Sequence, residues 1–435
     1  MRVNSTTTRF LALLLIASSV AACISSPVRS PSPTPEATAS ASVEPSASSI
    51  AVVSPSPSAT PSLAPSTEPP ASVAPPTLAP STPPASSCAT RTLASLTLAQ
   101  RVGQLFNVGL DHDQVSAAAR AAILANHFGS VWYRAKTSIG VAGVRAVADA
   151  AQALATKNAT GGIRFFVAAN QEGGLVQALN GPGFDVIPSA VDQGKLQPAD
   201  LEARAAVWGQ QLKAAGINLD FAPVADVVPK GTEAQNAPIG ELRREFGSEP
   251  LAVAPHVVAF IHGMREAGVA TTAKHFPGLG RVEGNTDFTG GVVDTVTTTD
   301  DPYLKPFARA VAVHAPFVMI SLATYDQIDP DHLAAFSPAV IDGVLRGRLG
   351  YRGVVMSDSL TAHATADIDP GQRAIDFLLA GGDMIVLGPI DIAVPMAEAV
   401  RARAASDAAF KARVDQSALR ILQAKDTAGL LPCSG

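Results

Sequence analysis

The sequence predicts an α/β fold in which residues 88–435 form one (β/α)8 barrel of the TIM type. Short apolar segments alternate with Ala-rich amphipathic segments after Thr97, which is the βαβα order of parallel strands joined by helical crossovers. Polar residues follow several of the apolar segments directly. The length of this region suits one barrel with elaborated loops. An open, doubly wound sheet is the alternative architecture.

The candidate strands are runs rich in Val, Ile, Leu and Phe. In chain order they read LFNVGL, GSVWYR, RFFVAAN, INLDFAPV, VATTAKH, FVMISLA, GVVMSD and DMIVLG. The helical segments between them include QVSAAARAAILANHF, DLEARAAVWGQQLKAAG and LAVAPHVVAFIHGMREAG. Eight such units favour a closed barrel, and no G-x-G-x-x-G turn follows the first strand to hold a dinucleotide.

The N-terminal region predicts export and a tether. Residues 1–22 have the positive start and the short apolar core of a signal peptide, and VAAC resembles a lipobox that would make Cys23 the lipid-modified first residue. A secreted protein without lipid is the alternative. Residues 24–87 are almost entirely Pro, Ser, Thr, Ala and Val, so this stretch predicts a disordered linker that cannot bury a core.

The two other cysteines of the sequence, Cys88 and Cys433, lie at the start and near the end of the predicted barrel. Export makes a disulfide between them chemically reasonable, and two free thiols are the alternative. A metal site would need more ligands than these cysteines, and the eight histidines show neither H-x-H nor H-E-x-x-H spacing. We therefore expect no cofactor. The net charge of −5 and the lack of a Lys/Arg block argue against nucleic acid as a partner.

Polar residues accumulate at the ends of the predicted strands. In a barrel these ends surround one mouth, where barrel enzymes hold their chemistry. Each residue taken singly could belong to a structural ion pair, but convergence from several strands favours a functional site. The residues are Asn170, Gln171 and Glu172 after the third strand, Asp226 after the fourth, Lys274 and His275 after the fifth, and Ser357 and Asp358 after the seventh.

Four segments carry a resemblance to a known family. NQEGGLVQ, INLDFAPVADV, KHFPGLG and VVMSDSL resemble, in order and spacing, the glycoside hydrolase family 3 β-N-acetylglucosaminidases. The lipobox, linker and flanking cysteines are similar to those of actinobacterial lipoproteins in that family. The resemblance implies a retaining β-N-acetylhexosaminidase that removes terminal β-linked N-acetylglucosamine from cell-wall-derived or other glycans, as a monomer anchored by lipid outside the cytoplasm.

The resemblance also assigns site residues. Asp358 matches the family's nucleophile, which attacks the anomeric carbon and forms a glycosyl-enzyme that water later opens. Lys274 and His275 match residues that bind sugar hydroxyls, and Asn170 stands where many members have an acidic sugar ligand. IGELRREFG has two more residues than the family's segment, so Arg244 matches the sugar-binding arginine and Arg243 is the fallback.

The acid/base position departs from the family pattern. Members usually carry a histidine as acid/base, oriented by an aspartate two residues before it, where this chain has Asp287 and Asn285. Asp287 beside neutral Asn285 reproduces the charges of the missing pair, whereas a second carboxylate there would have raised one pKa by repulsion. We expect Asp287 to serve as acid/base with Asn285 beside it. Glu283 is the alternative residue for that role.

The sequence is also compatible with other functions. Leu279 replaces the histidine of the family's GHG, and Leu175 replaces the arginine of EGGRV, which removes one anchor for an acidic neighbouring sugar and puts a peptidoglycan fragment in doubt. The chain could be a β-glycosidase for another sugar, or a tethered glycan-binding protein with impaired catalysis. Lys274 at a strand end could also form a Schiff base, although HFPG and the distant SD would have no role in that chemistry.

Overall fold

Eight parallel strands close into a barrel in the computed structural model, which describes residues 87–111 and 113–433. The strands, in chain order, are β1 Phe106–Leu110, β2 Ser130–Tyr133, β3 Phe166–Ala169, β4 Leu219–Asp220, β5 Ala270–Phe276, β6 Phe317–Ile320, β7 Val354–Ser357 and β8 Ile385–Leu387. Each of β1 to β7 pairs with its neighbour in that order, and β1 also pairs with β8. A bridge between Met356 and Met384 joins β7 to β8. The predicted barrel is confirmed, and the open sheet is wrong.

Helices surround the strands. The α-helices are α1 Cys88–Ser95, α2 Leu98–Gln104, α3 Ala117–Asn126, α4 Gly140–Gln152, α5 Lys157–Thr160, α6 Ala190–Gln193, α7 Pro198–Ala214, α8 Pro250–Glu266, α9 Lys305–Ala312, α10 Pro370–Leu379, α11 Ile390–Ser406 and α12 Ala408–Thr427. A π-helix spans Ala339–Arg348. The three quoted helical segments of the sequence correspond to α3, α7 and α8. None of the helices in the described part of the chain is long and apolar enough to cross a membrane.

Local sequence explains where these elements begin. Thr97 and Gln100 form a capping box at the start of α2, in which each side chain satisfies a backbone N–H of the first turn. Ser116 caps α3 and Asp369 caps α10 in a similar way. All residues of the short strands β1, β2 and β3 are buried, which explains why these strands read as continuous apolar runs without alternation.

A disulfide joins Cys88 to Cys433 across a separation of 345 residues, with their Cα atoms 6.0 Å apart. It links the first residue of α1 to the segment that follows α12. The loop-entropy model gives about 5 to 6 kcal/mol for closing so long a loop. The predicted signal peptide over 1–22, the lipidation site Cys23 and the linker up to residue 86 lie outside the described residues.

Several short strands lie in the segments that follow barrel strands. After β3, Gln171–Gly173 and Val176–Gln177 form an antiparallel hairpin. A three-stranded sheet contains Val293–Asp294, Thr324–Tyr325 and Asp329–Leu333. These elements extend the loops at the C-terminal ends of the strands, where the barrel mouth lies.

Candidate active site

A cavity of about 300 Å³ at the barrel mouth brings together the residues predicted for catalysis and sugar binding. Those that line it are Asn170, Arg244, Lys274, His275, Asn285, Asp287 and Asp358. A larger cavity of about 670 Å³ lies at the opposite end of the barrel, against residues such as Ala270 and Val354 at strand N-termini, and contains none of them. The smaller cavity is therefore the candidate active site.

Glu172 holds the two cationic side chains of the cavity in place. Arg244 donates two hydrogen bonds to it, from Nε to Oε2 at 2.8 Å and from Nη2 to Oε1 at 2.7 Å. Lys274 Nζ lies 2.5 Å from Glu172 Oε1 and donates to Asn170 Oδ1 at 2.8 Å. Burial alone would raise the pKa of Glu172, but the charges and hydrogen bonds of Arg244 and Lys274 outweigh burial and lower that pKa to about 2.

This arrangement bears on the Schiff-base alternative for Lys274. A Schiff base requires an uncharged amine with room to approach a carbonyl carbon. The Lys274 side chain is instead buried, with its ammonium between Glu172 and Asn170. The geometry therefore suits Lys274 to hydrogen bonding with a ligand in the cavity and disfavours an aldolase-like role.

Asp226 positions His275 and the loop that follows it. His275 Nδ1 donates to Asp226 Oδ2 at 2.7 Å, and the backbone N–H of Leu279 donates to Asp226 Oδ1 at 2.8 Å. With the proton on Nδ1, His275 Nε2 is free to accept, and Arg244 Nη2 lies 3.5 Å from it. Leu279, which replaces a family histidine, is buried.

Asp358 follows β7 directly, and its backbone N–H donates to the carbonyl of Ile320 at the end of β6. Within the described residues, its carboxylate accepts one hydrogen bond, at 2.8 Å from the backbone N–H of Ser359. The carboxylate thus has acceptor capacity that remains available, and it lines the cavity on rigid strand backbone. An oxygen held in this way is suited to nucleophilic attack on a bound ligand.

Asp287 reaches the same cavity from the loop after β5. The backbone carbonyls of Thr286 and Asp287 accept hydrogen bonds from Ala364 and His363, which belong to the segment after Asp358. Asn285 Oδ1 accepts the backbone N–H of Asp287 at 3.0 Å, an Asx-type turn. The loop with Asp287 is therefore attached to the segment that follows Asp358, and Asn285 shapes the backbone beneath Asp287.

The surroundings of Asp287 favour its protonated form. Burial raises the pKa of Asp287, and the carboxylate of Asp358 raises it further, while His275, Arg244 and Lys274 oppose the shift. Although protein atoms crowd the carboxyl, the residue as a whole is exposed at the mouth, and water there limits the size of this pKa shift. A raised pKa suits the Asp287 carboxyl to the donation of a proton.

The alternatives for two site positions lie in different places in the structure. Arg243 has a left-handed φ of 56°, is half-exposed, and donates to Asp192 at 3.1 Å outside the cavity, whereas Arg244 lies inside it. Glu283, the alternative acid/base, is exposed and does not line the cavity. Arg244 and Asp287 are therefore the residues in position to contact a ligand.

Three carboxylates of this region were not assigned a role from the sequence. Glu172 and Asp226 were noted as polar residues near strand ends, and the structure shows that they orient Arg244, Lys274 and His275. Asp220 at the end of β4 is fully buried and accepts the N–H of Gln171 at 3.0 Å, and burial raises its pKa to about 7. The sequence indicated a special role for Asp220 because it lies within the apolar segment INLDFAPV. A carboxylate buried in such a segment costs free energy unless it is paired or hydrogen-bonded.

Within residues 87–111 and 113–433, no group of three or more His, Cys, Asp or Glu side chains is arranged to hold a metal ion.

Comparison with known proteins identifies the family of the barrel. The model of the glycosyl hydrolase family 3 N-terminal domain matches residues 97–424. The chain is 48% identical to a β-N-acetylhexosaminidase of known structure from Beutenbergia cavernae, with a TM-score of 0.75 over 76% of this chain and 99% of that one. A family 3 β-N-acetylglucosaminidase structure from a Paenibacillus species is 29% identical, with a TM-score of 0.71 over 77% of this chain and 63% of that one.

A β-hexosaminidase from Stenotrophomonas maltophilia is 32% identical over 267 residues, which cover 58% of this chain and 76% of the relative. The family match extends over the barrel and includes every residue that lines the candidate active site. The resemblance inferred from the sequence is thus confirmed: the chain belongs to glycosyl hydrolase family 3 and is a glycoside hydrolase.

Proposed function

We propose that the protein is a retaining β-N-acetylhexosaminidase that hydrolyses terminal β-linked N-acetylglucosamine. The observation that carries the proposal is that Asp358 and Asp287, from two different loops, line one small cavity beside Arg244, Lys274 and His275. Relatives named β-N-acetylhexosaminidase and β-hexosaminidase support the choice of sugar. A cavity of about 300 Å³ suits a single monosaccharide unit and therefore an enzyme that acts at chain ends.

The proposed reaction has two steps. Asp287 donates its proton to the glycosidic oxygen as that bond to the anomeric carbon breaks, and a carboxylate oxygen of Asp358 forms an ester with the anomeric carbon. Asp287, now ionised, then removes a proton from water, whose oxygen attacks the anomeric carbon and releases Asp358. The configuration at that carbon is inverted twice and so retained.

The side chains around the two carboxylates bind and orient the sugar in this proposal. Lys274 and Arg244 can donate hydrogen bonds to hydroxyl groups of the sugar. Because Glu172 already fixes both side chains, little conformational freedom is lost when the sugar binds. His275 can accept a hydrogen bond through Nε2, since the proton on Nδ1 is directed to Asp226. Asn170 offers both a carbonyl and an amide to hydroxyls.

A mechanism-based label tests the proposal. Incubation with a fluorinated N-acetylglucosamine derivative that slows the second step should leave a covalent sugar on the peptide that contains MSDSL, at Asp358. The purified protein should also hydrolyse aryl β-N-acetylglucosaminides, and Asp358→Ala should abolish that turnover. Label on Glu172 or Asp226 would overturn the assignment, and binding of the sugar without turnover would identify a glycan-binding protein instead.

We also propose that the enzyme acts outside the cytoplasm on cell-wall-derived or other glycans, attached to the membrane by lipid at Cys23. The VAAC motif and the Pro- and Ser-rich linker support this localisation. Cys23→Ala should release the protein into the medium with its specific activity intact. Retention of that variant in the membrane fraction would contradict the proposal.

A further inference from the structure

The mouth of the active-site cavity differs in character from its floor. The floor contains Arg244, Lys274 and His275, whose polar groups are engaged with Glu172 and Asp226. The cavity also contains buried apolar side chains such as Trp132 and Met319. Three further apolar side chains, from separate segments, are half-buried or exposed, namely Val176 from the hairpin after β3, Leu242 from the segment after β4, and Phe288 from the loop after β5. These three residues are called the apolar rim below.

Phe288 is the most prominent member of the apolar rim, because its side chain is 78% exposed although it lines the cavity. An exposed aromatic ring at a binding site is positioned to gain free energy when a ligand covers it, and ring stacking contributes about 0.5–1.5 kcal/mol beyond the area buried. Leu175, next to Val176, is also exposed, with 56% of its side chain accessible to solvent.

The backbone holds Phe288 in place before any ligand binds. Its N–H donates to the carbonyl of Asn285 at 3.0 Å, and the two preceding carbonyls, of Thr286 and Asp287, accept from Ala364 and His363. The ring is therefore attached to the same loop that carries Asp287, one residue away from the group that would protonate the leaving oxygen. A leaving group in contact with Asp287 must lie close to Phe288.

Charge at the mouth disfavours an anionic leaving group. Among the described residues that line the cavity, Arg244 and Lys274 are the lysine or arginine side chains, and both are bound to Glu172. Arg243, nearby in sequence, is bound to Asp192. A carboxylate on the departing sugar would therefore meet an apolar surface and Asp287 without a lysine or arginine of the cavity wall free to balance its charge. Lys136, outside the cavity lining, donates from Nζ to the backbone carbonyl of Leu175 at 2.8 Å.

We propose that the apolar rim is the binding site for the leaving group, and that it selects an uncharged ring with an apolar face over a sugar acid. Phe288 is the main specificity-determining residue of this site. The chemistry that fits is the C–H face of a second neutral pyranose, such as the reducing sugar of N,N′-diacetylchitobiose. This inference rests on the proposed function and narrows its substrate class.

The test compares three substrates of the full-length protein: diacetylchitobiose, the matched disaccharide whose reducing unit is N-acetylmuramic acid, and the β-fluoride of N-acetylglucosamine, whose leaving group is too small to reach the rim. We expect wild type to favour the neutral disaccharide over the acidic one in kcat/KM by about tenfold or more. Phe288→Ala should lower the kcat/KM ratio of diacetylchitobiose to fluoride by about tenfold, and Phe288→Trp should restore it. Leu251→Ala, at an apolar residue that is 73% exposed on α8, is the matched control.

The result that overturns the inference is an equal loss on both substrates in Phe288→Ala, or equal cleavage of the neutral and acidic disaccharides by wild type. Failure of the fluoride to react would instead count against the proposed hydrolase. A binding measurement separates the two failures. By calorimetry in an Asp358→Asn background, Phe288→Ala should weaken diacetylchitobiose about tenfold more than it weakens N-acetylglucosamine, and an equal effect on both sugars would again overturn the inference.

Discussion

Asp358 and Asp383 lie at opposite ends of the barrel, and they differ in how many hydrogen bonds their carboxylates accept. Asp383, just before β8, is fully buried, and its oxygens accept from Arg346, Arg413 and Arg420 as well as from Ser417 Oγ and the N–H of Val355. Asp358, just after β7, accepts one hydrogen bond from a described residue and faces the active-site cavity. The first carboxylate is saturated by its neighbours, and the second remains available.

The carboxylates at the barrel mouth also differ in whether their oxygens are already occupied by hydrogen bonds. Glu172 and Asp226 resemble Asp383 because their oxygens are occupied by cations and N–H groups, and their effect on a ligand passes through Arg244 and His275. Asp287 resembles Asp358 because its carboxylate is engaged in no hydrogen bond with the described residues. Burial and charge alone therefore do not separate the two carboxylates proposed to react from the others, whereas available acceptor capacity next to the cavity does.

The largest expected effect comes from exchanging each aspartate for asparagine. Asp358→Asn should lower turnover on the order of 10⁴-fold or more while changing the free energy of unfolding by less than about 0.5 kcal/mol. Asp383→Asn should destabilise the fold by about 3–5 kcal/mol, because it leaves three arginines near an uncharged group, yet the folded fraction should retain its kcat. Urea unfolding and active-site titration measure both quantities. A lowered kcat in the folded fraction of Asp383→Asn would contradict the purely structural role assigned to Asp383.

The next largest effect concerns Asp287. Asp287→Asn should lower kcat on diacetylchitobiose by about 10²–10⁴-fold, because the leaving sugar then departs without a proton. Hydrolysis of dinitrophenyl glycosides, which need no proton, should lose less than about tenfold in the first step. Glu283→Gln, on the same loop but outside the cavity, is the matched control.

The pH profile gives an independent readout for Asp287. Because the acid works in its protonated form, activity of wild type on the disaccharide should fall as pH rises through the raised pKa of Asp287. That alkaline limb should be absent for the dinitrophenyl substrate when the first step is measured. Retention of near wild-type disaccharide activity by Asp287→Asn would show that another group supplies the proton.

Much of this site could be predicted from the sequence, for a physical reason. Strands buried on both faces must be continuous apolar runs, so each charged residue at a strand end, such as Asp358 or Lys274, stands out against them. Parallel strands in a barrel then place those ends around one mouth without further information. The barrel and the grouping of the site residues follow from these two constraints.

The pairing of Glu172 with Arg244 could not be predicted in the same way. The two residues are 72 positions apart, one on a hairpin and the other on an irregular segment whose insertion obscures its alignment with the family. Arg243 has a left-handed backbone conformation, and its side chain contacts Asp192, whereas the side chain of the next residue, Arg244, contacts Glu172. A non-glycine residue in that conformation is set by tertiary contacts and not by local sequence.

A smaller effect distinguishes these two arginines. Arg244→Ala should lower kcat/KM for aryl N-acetylglucosaminides by about 10- to 100-fold, because it removes hydrogen bonds from a charged donor and frees Glu172 from one partner. Arg243→Ala should change kcat/KM less than about twofold, since its half-exposed pair with Asp192 lies outside the cavity. The reverse order of effects would reassign the arginine of the site.

The last comparison concerns Asp220, a buried carboxylate at the mouth end with fewer hydrogen-bond partners than Asp383. Its Oδ2 has no hydrogen-bond partner among the described residues. Burial raises the pKa of Asp220 to about 7, although the N–H of Gln171 and the charge of Lys274 oppose the shift. Between about pH 4, where the unfolded carboxyl titrates, and pH 7, the folded state therefore holds a proton that the unfolded state has released.

Because the folded state binds more protons in that window, the contribution of Asp220 to stability must decrease as pH rises, by at most about 1.4 kcal/mol per pH unit, and must level off above pH 7. Asp220→Asn lacks this titration. The difference in the free energy of unfolding between Asp220→Asn and wild type, measured in urea, should thus shift in favour of the variant by about 1–3 kcal/mol from pH 5 to pH 7. Parallel stability curves across that range would mean that Asp220 is ionised in the folded protein, and that a partner saturates it as three arginines saturate Asp383.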